Sequence, residues 1–241
     1  TPAYATLYYV KFNNNTSSKY GGAISNFGVL NSCQPVFAGN TSSSGGALQN
    51  SGTAALTSSS FNLNVAARNA NPLAANGKDF GGNGGAIFTG GADASLTLDI
   101  DSVFSGNTAA NAGGAIDYIN GSLTFTGVNH TIEGNEAGVI GGAIVAAKPI
   151  TFVGTPVFGF GVGGAAANTA GLYAPNVAVA SSVSEEAVAE MAENFFPDFL
   201  NPDGTVDATL IDTFRRGGVL AAGNKLTFES LAETFATPPA E

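Results

Sequence analysis

The residues best suited to acid–base or metal chemistry are the carboxylates of one short segment. Asp99 and Asp101 alternate in a strand-like stretch, so we expect their side chains to share a face, with Asp93 and Asp117 nearby in sequence. Paired carboxylates carry out glycoside hydrolysis, and polysaccharide cleavage adds a basic residue beside metal ligands. Because no Lys or Arg lies between positions 78 and 148, we interpret these acids as an exposed acidic strand.

The other candidates for catalysis stand alone. The chain has one histidine, His130, and one cysteine, Cys33. A nucleophilic cysteine needs a base beside it, and the sequence contains no Ser-His-Asp set, phosphate-binding glycine loop or zinc-ligand spacing. We expect Cys33 to be a small buried residue and His130 to lie at the surface. The sequence therefore predicts no catalytic residue, no cofactor-binding residue and no enzyme.

One segment is similar to a calcium loop, NPDGTVDATLID at residues 201–212. Phe199 stands at the first ligand position and Leu210 at the position of the bidentate acid, so two carboxylates that hold calcium are missing. A turn followed by a helix is the favoured interpretation, and calcium is the only cofactor left open. The oxygen ligands would come from Asn201, Asp203, Thr205 and Asp207.

Composition narrows the classes of partner. The 241 residues include 33 glycines, eight Lys or Arg and eighteen Asp or Glu, for a net charge of −10. This charge repels nucleic acid and anionic lipid, and no basic stripe counteracts it. More than half of the acids follow residue 184, which indicates a change of organisation at residues 172–184.

The glycines belong to a repeated phrase. An aromatic or aliphatic residue is followed three positions later by asparagine and then by a Gly-Gly pair, as in FSGNTAANAGGAI from residue 104. Repeats of about 20 to 50 residues, with insertions in their loops, are typical of solenoids. The repeat positions are Phe12 and Asn15, Phe37 and Asn40, Phe80 and Asn83, Phe104 and Asn107, and Ile132 and Asn135.

The short words rich in Thr, Val, Phe and Leu, such as SLTLDI, predict strands, and we expect three per coil. Parallel coils place equivalent residues above one another, so the aromatics should stack and the asparagines form a ladder of amides. Gly-Gly permits a sharp corner. The predicted fold is mostly β, a right-handed parallel β-helix, the hand that parallel crossovers favour. Residues 61–80 are predicted to form a loop that leaves the coil stack.

The C-terminal part has helical periodicity. Residues 183–196 and about 208–216 carry apolar residues at helical spacing and are predicted as amphipathic helices. The predicted organisation is a β-helix at 1–171, a small α-helical insertion or cap at 172–216, and a last coil and tail at 217–241. The helices either cover the solenoid or dock onto a partner.

The repeated words FNNN/GGAI, FAGN/GGAL, FGGN/GGAI, FSGN/GGAI and IEGN/GGAI resemble the polymorphic outer-membrane protein repeats of chlamydial autotransporters. The resemblance covers residues 12 to about 170. It implies a secreted, surface-exposed β-helical passenger, often an adhesin, in which the phenylalanines and asparagines define the repeat. The stretched interval from Gly45 to Gly84 and the isoleucine at position 132 depart from the pattern.

Three functions follow from these patterns. The first is a non-catalytic structural or adhesive segment of an extracellular or cell-surface protein that contacts protein or glycan. The second is a scaffold subunit that docks into a larger assembly through its C-terminal helices, and the third is a carbohydrate-active β-helix. An ice-binding face would need regular threonines, and Thr97, Thr124, Thr126 and Thr151 are irregular in sequence. Because the chain opens inside a repeat, we also expect the parent protein to be longer.

Overall fold

The fold consists of short parallel strands without a helix in the part that the computed structural model describes, residues 2–67, 81–146, 150–153, 158–159, 167–171 and 177–179. The strands are β1 Tyr4–Tyr8, β2 Lys11–Asn13, β3 Ile24–Asn26, β4 Val29–Cys33, β5 Val36–Ala38, β6 Thr41–Ser42, β7 Leu48–Asn50, β8 Thr53–Thr57, β9 Ser60–Asn62, β10 Val65–Ala66, β11 Ile87–Thr89, β12 Ser95–Asp99, β13 Val103–Ser105, β14 Thr108–Ala109, β15 Ile116–Tyr118, β16 Ser122–Thr126, β17 His130–Glu133, β18 Glu136–Ala137, β19 Ile144–Ala146, β20 Thr151–Val153, β21 Phe158–Gly159, β22 Thr169–Ala170 and β23 Val177–Val179.

The strands form a parallel β-solenoid of about five coils. Sheet A has the order β1-β4-β8-β12-β16-β20, and sheet B has the order β2-β5-β9-β13-β17-β21. Sheet C is formed by β6, β10, β14, β18 and β22, and sheet D by β3, β7, β11, β15, β19 and β23. Complete coils therefore have four strands instead of the predicted three. The difference arises because a two-residue strand after each ladder asparagine is too short to recognise from the sequence.

The hydrophobic core lies inside the coils. In β12 and β16, Leu96, Leu98, Leu123 and Phe125 point inward and are fully buried, while the intervening Ser and Thr side chains face outward. Full burial of such a side chain contributes about 1.5–3 kcal/mol. Because each coil repeats this alternation in register, the buried side chains form one continuous core along the solenoid.

The Gly-Gly pairs form the corner that leads into sheet D. The first glycine of the pair, such as Gly113, is in the left-handed region with φ +65°, and a Cβ there would collide with the Ile116 carbonyl. The second glycine, Gly114, has ordinary φ, but a Cβ on it would collide with the Gly142 carbonyl of the next coil. The two glycines are thus required for different reasons, one for chain direction and one for the close approach of coils.

The structure bears on the predicted loop at 61–80 and on the predicted end of the β-helix at residue 171, but not on the predicted C-terminal elements. The segment predicted as a loop at 61–80 begins inside the solenoid, because β9 and β10 extend through Ala66 and pair with both neighbouring coils. Strand β23 pairs with β19, so the solenoid continues past residue 171. The predicted helices at 183–196 and 208–216, and the last coil at 217–241, lie outside the described residues.

Candidate functional site

One asparagine in each coil contributes to a continuous ladder of amides. The Nδ2 of each asparagine donates to the Oδ1 of the asparagine in the next coil over 2.8–2.9 Å. The backbone N–H of the same residue also donates to that Oδ1, over 2.9–3.0 Å. The members, in order, are Asn15, Asn40, Asn64, Asn107, Asn135 and Asn168.

The ladder also ties the amides to the preceding coil. Asn107 Nδ2 donates to the Phe61 carbonyl over 2.9 Å, and Asn135 Nδ2 donates to the Phe104 carbonyl over 3.0 Å. Asn107 is fully buried, and its side-chain oxygen and nitrogen each make two hydrogen bonds. Because buried polar groups are costly unless they are paired, this arrangement indicates a structural role for the asparagine.

The aromatic residue that precedes each ladder asparagine lies in a second column. Phe12, Phe37, Phe61 and Phe104 stack with ring centroids 4.6–4.9 Å apart and planes within 9° of parallel. Ile132 pairs with Phe104 in register and continues the column with a fully buried side chain. Centroid separations this short are close to the spacing of about 4.8 Å between strands, so the backbone register sets the stack.

The third coil differs from the sequence prediction, which placed Phe80 and Asn83 at the repeat positions. The coil instead uses Phe61 and Asn64. Asn83 lies just before a Gly-Gly corner and forms isolated parallel β-bridges with Ser44 and Ala112. Phe80 lies outside the described residues. The word FGGN was misleading because an insertion follows the ladder asparagine in this coil, whereas the equivalent word FNLN at residue 61 had no adjacent Gly-Gly pair to mark it.

Asp99 and Asp101, the carboxylates that the sequence analysis paired, do not share one strand face. Asp99 ends β12, and its Oδ1 accepts a hydrogen bond from Thr126 Oγ1 over 2.6 Å. Asp101 follows in a corner with φ +53°, and its Oδ1 accepts from Asn129 Nδ2 over 3.1 Å. The strand ends between the two acids, so the alternation on which a shared face depends is broken. Asp93 is exposed in a turn.

His130 is buried, and the expectation of a surface histidine is wrong. Its side chain occupies an inward column after Ser59 and Ser102, its Nε2 is 2.8 Å from the Thr126 carbonyl, and its ring packs edge-on against Phe125. Burial lowers the pKa of His130, against the opposing effects of the Thr126 carbonyl and then of Asp99 and Asp101. The residue therefore acts as a polar part of the core.

Asp117 was grouped with the exposed acids, and the structure contradicts this. It is fully buried, neither carboxylate oxygen has a hydrogen-bond partner among the described residues, and burial raises its pKa well above the ordinary value. Its neighbours in register are Phe88 and Val145, both apolar. Desolvation disfavours the ionised form of the carboxyl, and this is the physical cause of the raised pKa.

Metal binding has no support in this part of the molecule. Within residues 2–67, 81–146 and the shorter described segments, no group of three or more His, Cys, Asp or Glu side chains is arranged to hold a metal ion. The calcium-loop candidates Asn201, Asp203, Thr205 and Asp207 lie outside the described residues. Cys33 is a free thiol, half-buried on the outer face of sheet A instead of in the core. The described residues also contain no helix long and apolar enough to span a membrane.

A family model for the Chlamydia polymorphic membrane protein repeat matches residues 9–26 and 101–117. Both segments run from the stacked phenylalanine through the ladder asparagine to the Gly-Gly corner. Phe12 and Phe104 lie in the same aromatic column, and Asn15 and Asn107 lie in the same amide ladder. Two segments of the solenoid therefore match the polymorphic membrane protein repeat. No curated protein and no solved structure has a significant match to the chain.

The polymorphic membrane protein repeat and the β-solenoid fit a surface-associated structural protein. In both matched segments the repeat-defining side chains are turned inward and used for stacking and for amide hydrogen bonds. The outward positions, in contrast, vary between coils, as at Asn31, Ala55 and Thr97 of sheet A.

Proposed function

We propose that this chain is a non-catalytic scaffold segment of an extracellular or cell-surface protein and presents its sheet faces for contact with protein or glycan. The observation that carries the proposal is the inward use of the repeat residues. The asparagine ladder is fully hydrogen-bonded from Asn40 to Asn135, so its amides are structural and not available for chemistry. The outward-facing sheets supply surface for recognition.

Surface location is tested by labelling intact cells that produce the protein with a membrane-impermeant amine-reactive biotin reagent. Lys11 and Lys19 are exposed and provide described sites of reaction. We expect the protein to be labelled before cell lysis while a cytoplasmic marker is not. Labelling that requires lysis would contradict the proposal.

Absence of catalysis is tested separately, with the purified chain and a panel of neutral and acidic polysaccharides in a reducing-sugar assay. We expect no release above background at any pH from 4 to 9. Release that disappears in the double variant Asp99→Asn, Asp101→Asn would instead assign a hydrolytic activity to the acids at the β12 corner.

A further inference from the structure

The outer face of sheet A is almost uncharged and has aromatic residues at one end. In β1 the outward residues are Tyr4, Thr6 and Tyr8, and the two tyrosines are 71% and 66% exposed. The register places Asn31 and then Ala55 beside Thr6, and Cys33 and then Thr57 beside Tyr8. Strands β1, β4 and β8 contain no Lys, Arg, Asp, Glu or His.

A depression of about 210 Å³ lies on this face, with an outer lining of Thr6, Tyr8, Asn31, Cys33, Ala55 and Thr57. Among the lining residues, Ala55 has a small side chain and lies in register between Asn31 and Thr97. The side chains of Thr6, Asn31 and Thr57 make no hydrogen bond to the described residues. By contrast, Thr126 on the same face donates to Asp99.

We propose that this depression binds a neutral sugar residue of a glycan, an inference that rests on the proposed surface function. Tyr8 supplies an exposed aromatic face for the apolar side of a sugar ring, and its hydroxyl adds a polar tip. Asn31 offers two donors and an acceptor, and Thr6 and Thr57 offer hydroxyls that both donate and accept. This combination of one aromatic surface and several uncharged hydrogen-bonding groups matches the alternating hydroxyls and C–H groups of a saccharide.

The charge and the size of this face argue against an anionic glycan and against a protein as its ligand. No cationic side chain lies on β1, β4 or β8 to pair with a sialic acid or sulfate, and the net charge of −10 repels anions. The outer face of the three strands measures roughly 10 by 13 Å, an area of about 130 Å². Each partner in a stable protein interface contributes ~800 Å², which is far more. A regular ice-binding array is interrupted here, because Asn31 and Ala55 replace threonine in the central column.

The test uses an array of immobilised glycans ending in neutral hexoses or N-acetylhexosamines, beside sialylated and sulfated glycans. We expect the wild-type chain to bind one or more neutral glycans. Tyr8→Ala should raise the half-saturating concentration at least tenfold. Ala55→Gln should have the same effect with Tyr8 still present, because the longer side chain fills the depression.

The matched control is Thr124→Gln, which places the same side chain on the central column of sheet A two coils further on. It should leave binding within a factor of two. Thermal unfolding of all variants should match that of wild type, because the mutated side chains face outward. If a variant unfolds early, Asn31→Ala replaces it in the binding test with the same tenfold expectation.

Binding only to anionic glycans, no binding to neutral glycans, or equal binding by wild type and Tyr8→Ala would overturn this inference. These outcomes leave the surface-labelling result unaffected, so failure of the sugar site is distinct from failure of the proposed surface function. Inhibition of ice growth by wild type, without glycan binding, would assign the face to a different ligand and also overturn it.

Discussion

At the scale of single residues, burial has opposite consequences for two polar side chains, Asn107 and Asp117. Asn107 satisfies both its amide oxygen and its amide nitrogen through the neighbouring coils, and burial therefore strengthens its contribution. Asp117 is buried beside apolar neighbours without a hydrogen-bond partner among the described residues. Its burial therefore lowers the stability of the fold. These two residues give the sharpest mutational tests of the fold.

Replacement of Asn107 by alanine should destabilise the solenoid. The change removes the acceptor of the Asn64 backbone N–H, one of the two acceptors of Asn64 Nδ2, and the side-chain donor to the Phe61 carbonyl. Each buried group left unpaired costs about 1–3 kcal/mol. Urea unfolding followed by circular dichroism measures the loss. The control is Asn62→Ala, because the Asn62 amide is half-exposed and donates to Ser60 within its own strand. Equal stability of Asn107→Ala and wild type would show that the ladder contributes nothing.

Replacement of Asp117 by valine, the residue at the equivalent position of β19, should stabilise the protein at neutral pH. Because the folded pKa of Asp117 is raised above its ordinary value of 3.8, the folded state retains the proton longer than the unfolded state. Its contribution is therefore fully present below pH 3.8 and is lost as the pH rises through the folded pKa. We expect a gain of about 1–3 kcal/mol for Asp117→Val at pH 7.

The measurement is the free energy of unfolding of both proteins at several pH values between 3.5 and 8. The difference between variant and wild type should grow as the pH rises. Asp93→Val removes a carboxylate that lies exposed in a turn and serves as the matched control. A constant difference for Asp117→Val across the range would contradict a raised pKa.

At the scale of the element, the corner before sheet D limits how closely coils can stack. The second glycine of each pair faces the carbonyl of the equivalent glycine in the next coil, at positions 22, 46, 85 and 114. Any side chain there separates two coils locally, and the separation would lengthen the backbone hydrogen bonds on both sides of the corner. The corner is therefore less tolerant of substitution than the outward residues of the strands it connects.

Gly114→Ala should be among the most damaging single substitutions in this chain. Its methyl group would collide with the Gly142 carbonyl and also crowd the backbone of Glu136, neither of which is a flexible side chain. We expect a loss of more than about 4 kcal/mol, measured as a fall in the urea midpoint or as failure to purify folded protein. Ser105→Ala, on the outer face of β13 in the same coil, should change stability by less than about 0.5 kcal/mol. A near-neutral Gly114→Ala would show that the coils can separate at the corner without cost.

At the scale of the whole molecule, stability should depend on stacked coils and not on a bound ion. Backbone pairing between coils, the Phe column and the asparagine ladder all run along the solenoid axis, so each coil is held by its neighbours. The sequence around residues 199–210 lacks two of the acidic ligands that give a calcium loop its affinity.

A chelator should therefore leave the folding of this chain unchanged. Thermal unfolding with excess EDTA and with millimolar calcium is expected to give the same midpoint within about 1 °C, because a ligand stabilises only in proportion to its binding. A rise of several degrees with calcium would show that Asn201, Asp203, Thr205 and Asp207 form a site despite Leu210.

Much of this architecture could be predicted from the sequence because residues that recur in the repeat come into contact with one another when the coils stack. When coils lie in register, each recurring residue meets its own equivalent, so Phe12 and Phe37 were expected to stack and Asn15 and Asn40 to share hydrogen bonds. The parallel solenoid, the inward repeat phrase and the Gly-Gly corner all follow from that single relation. The right hand of the coil stays a prediction.

The tertiary structure decided which residues are equivalent wherever coil length varies. An insertion after Ala66 shifted the third repeat, so only strand pairing identifies Phe61 and Asn64 as its members. Pairing also brings Thr97, Thr124 and Thr151 into one outward column, although they look irregular in sequence.

Burial was likewise beyond the local pattern at His130 and Asp117. Whether a side chain meets water depends on contacts with distant parts of the chain, while the sequence around a residue fixes only which way its strand alternates. The repeat therefore determined the phenylalanine and asparagine columns inside the coils, whereas the register and packing of the coils decided the burial of His130 and Asp117.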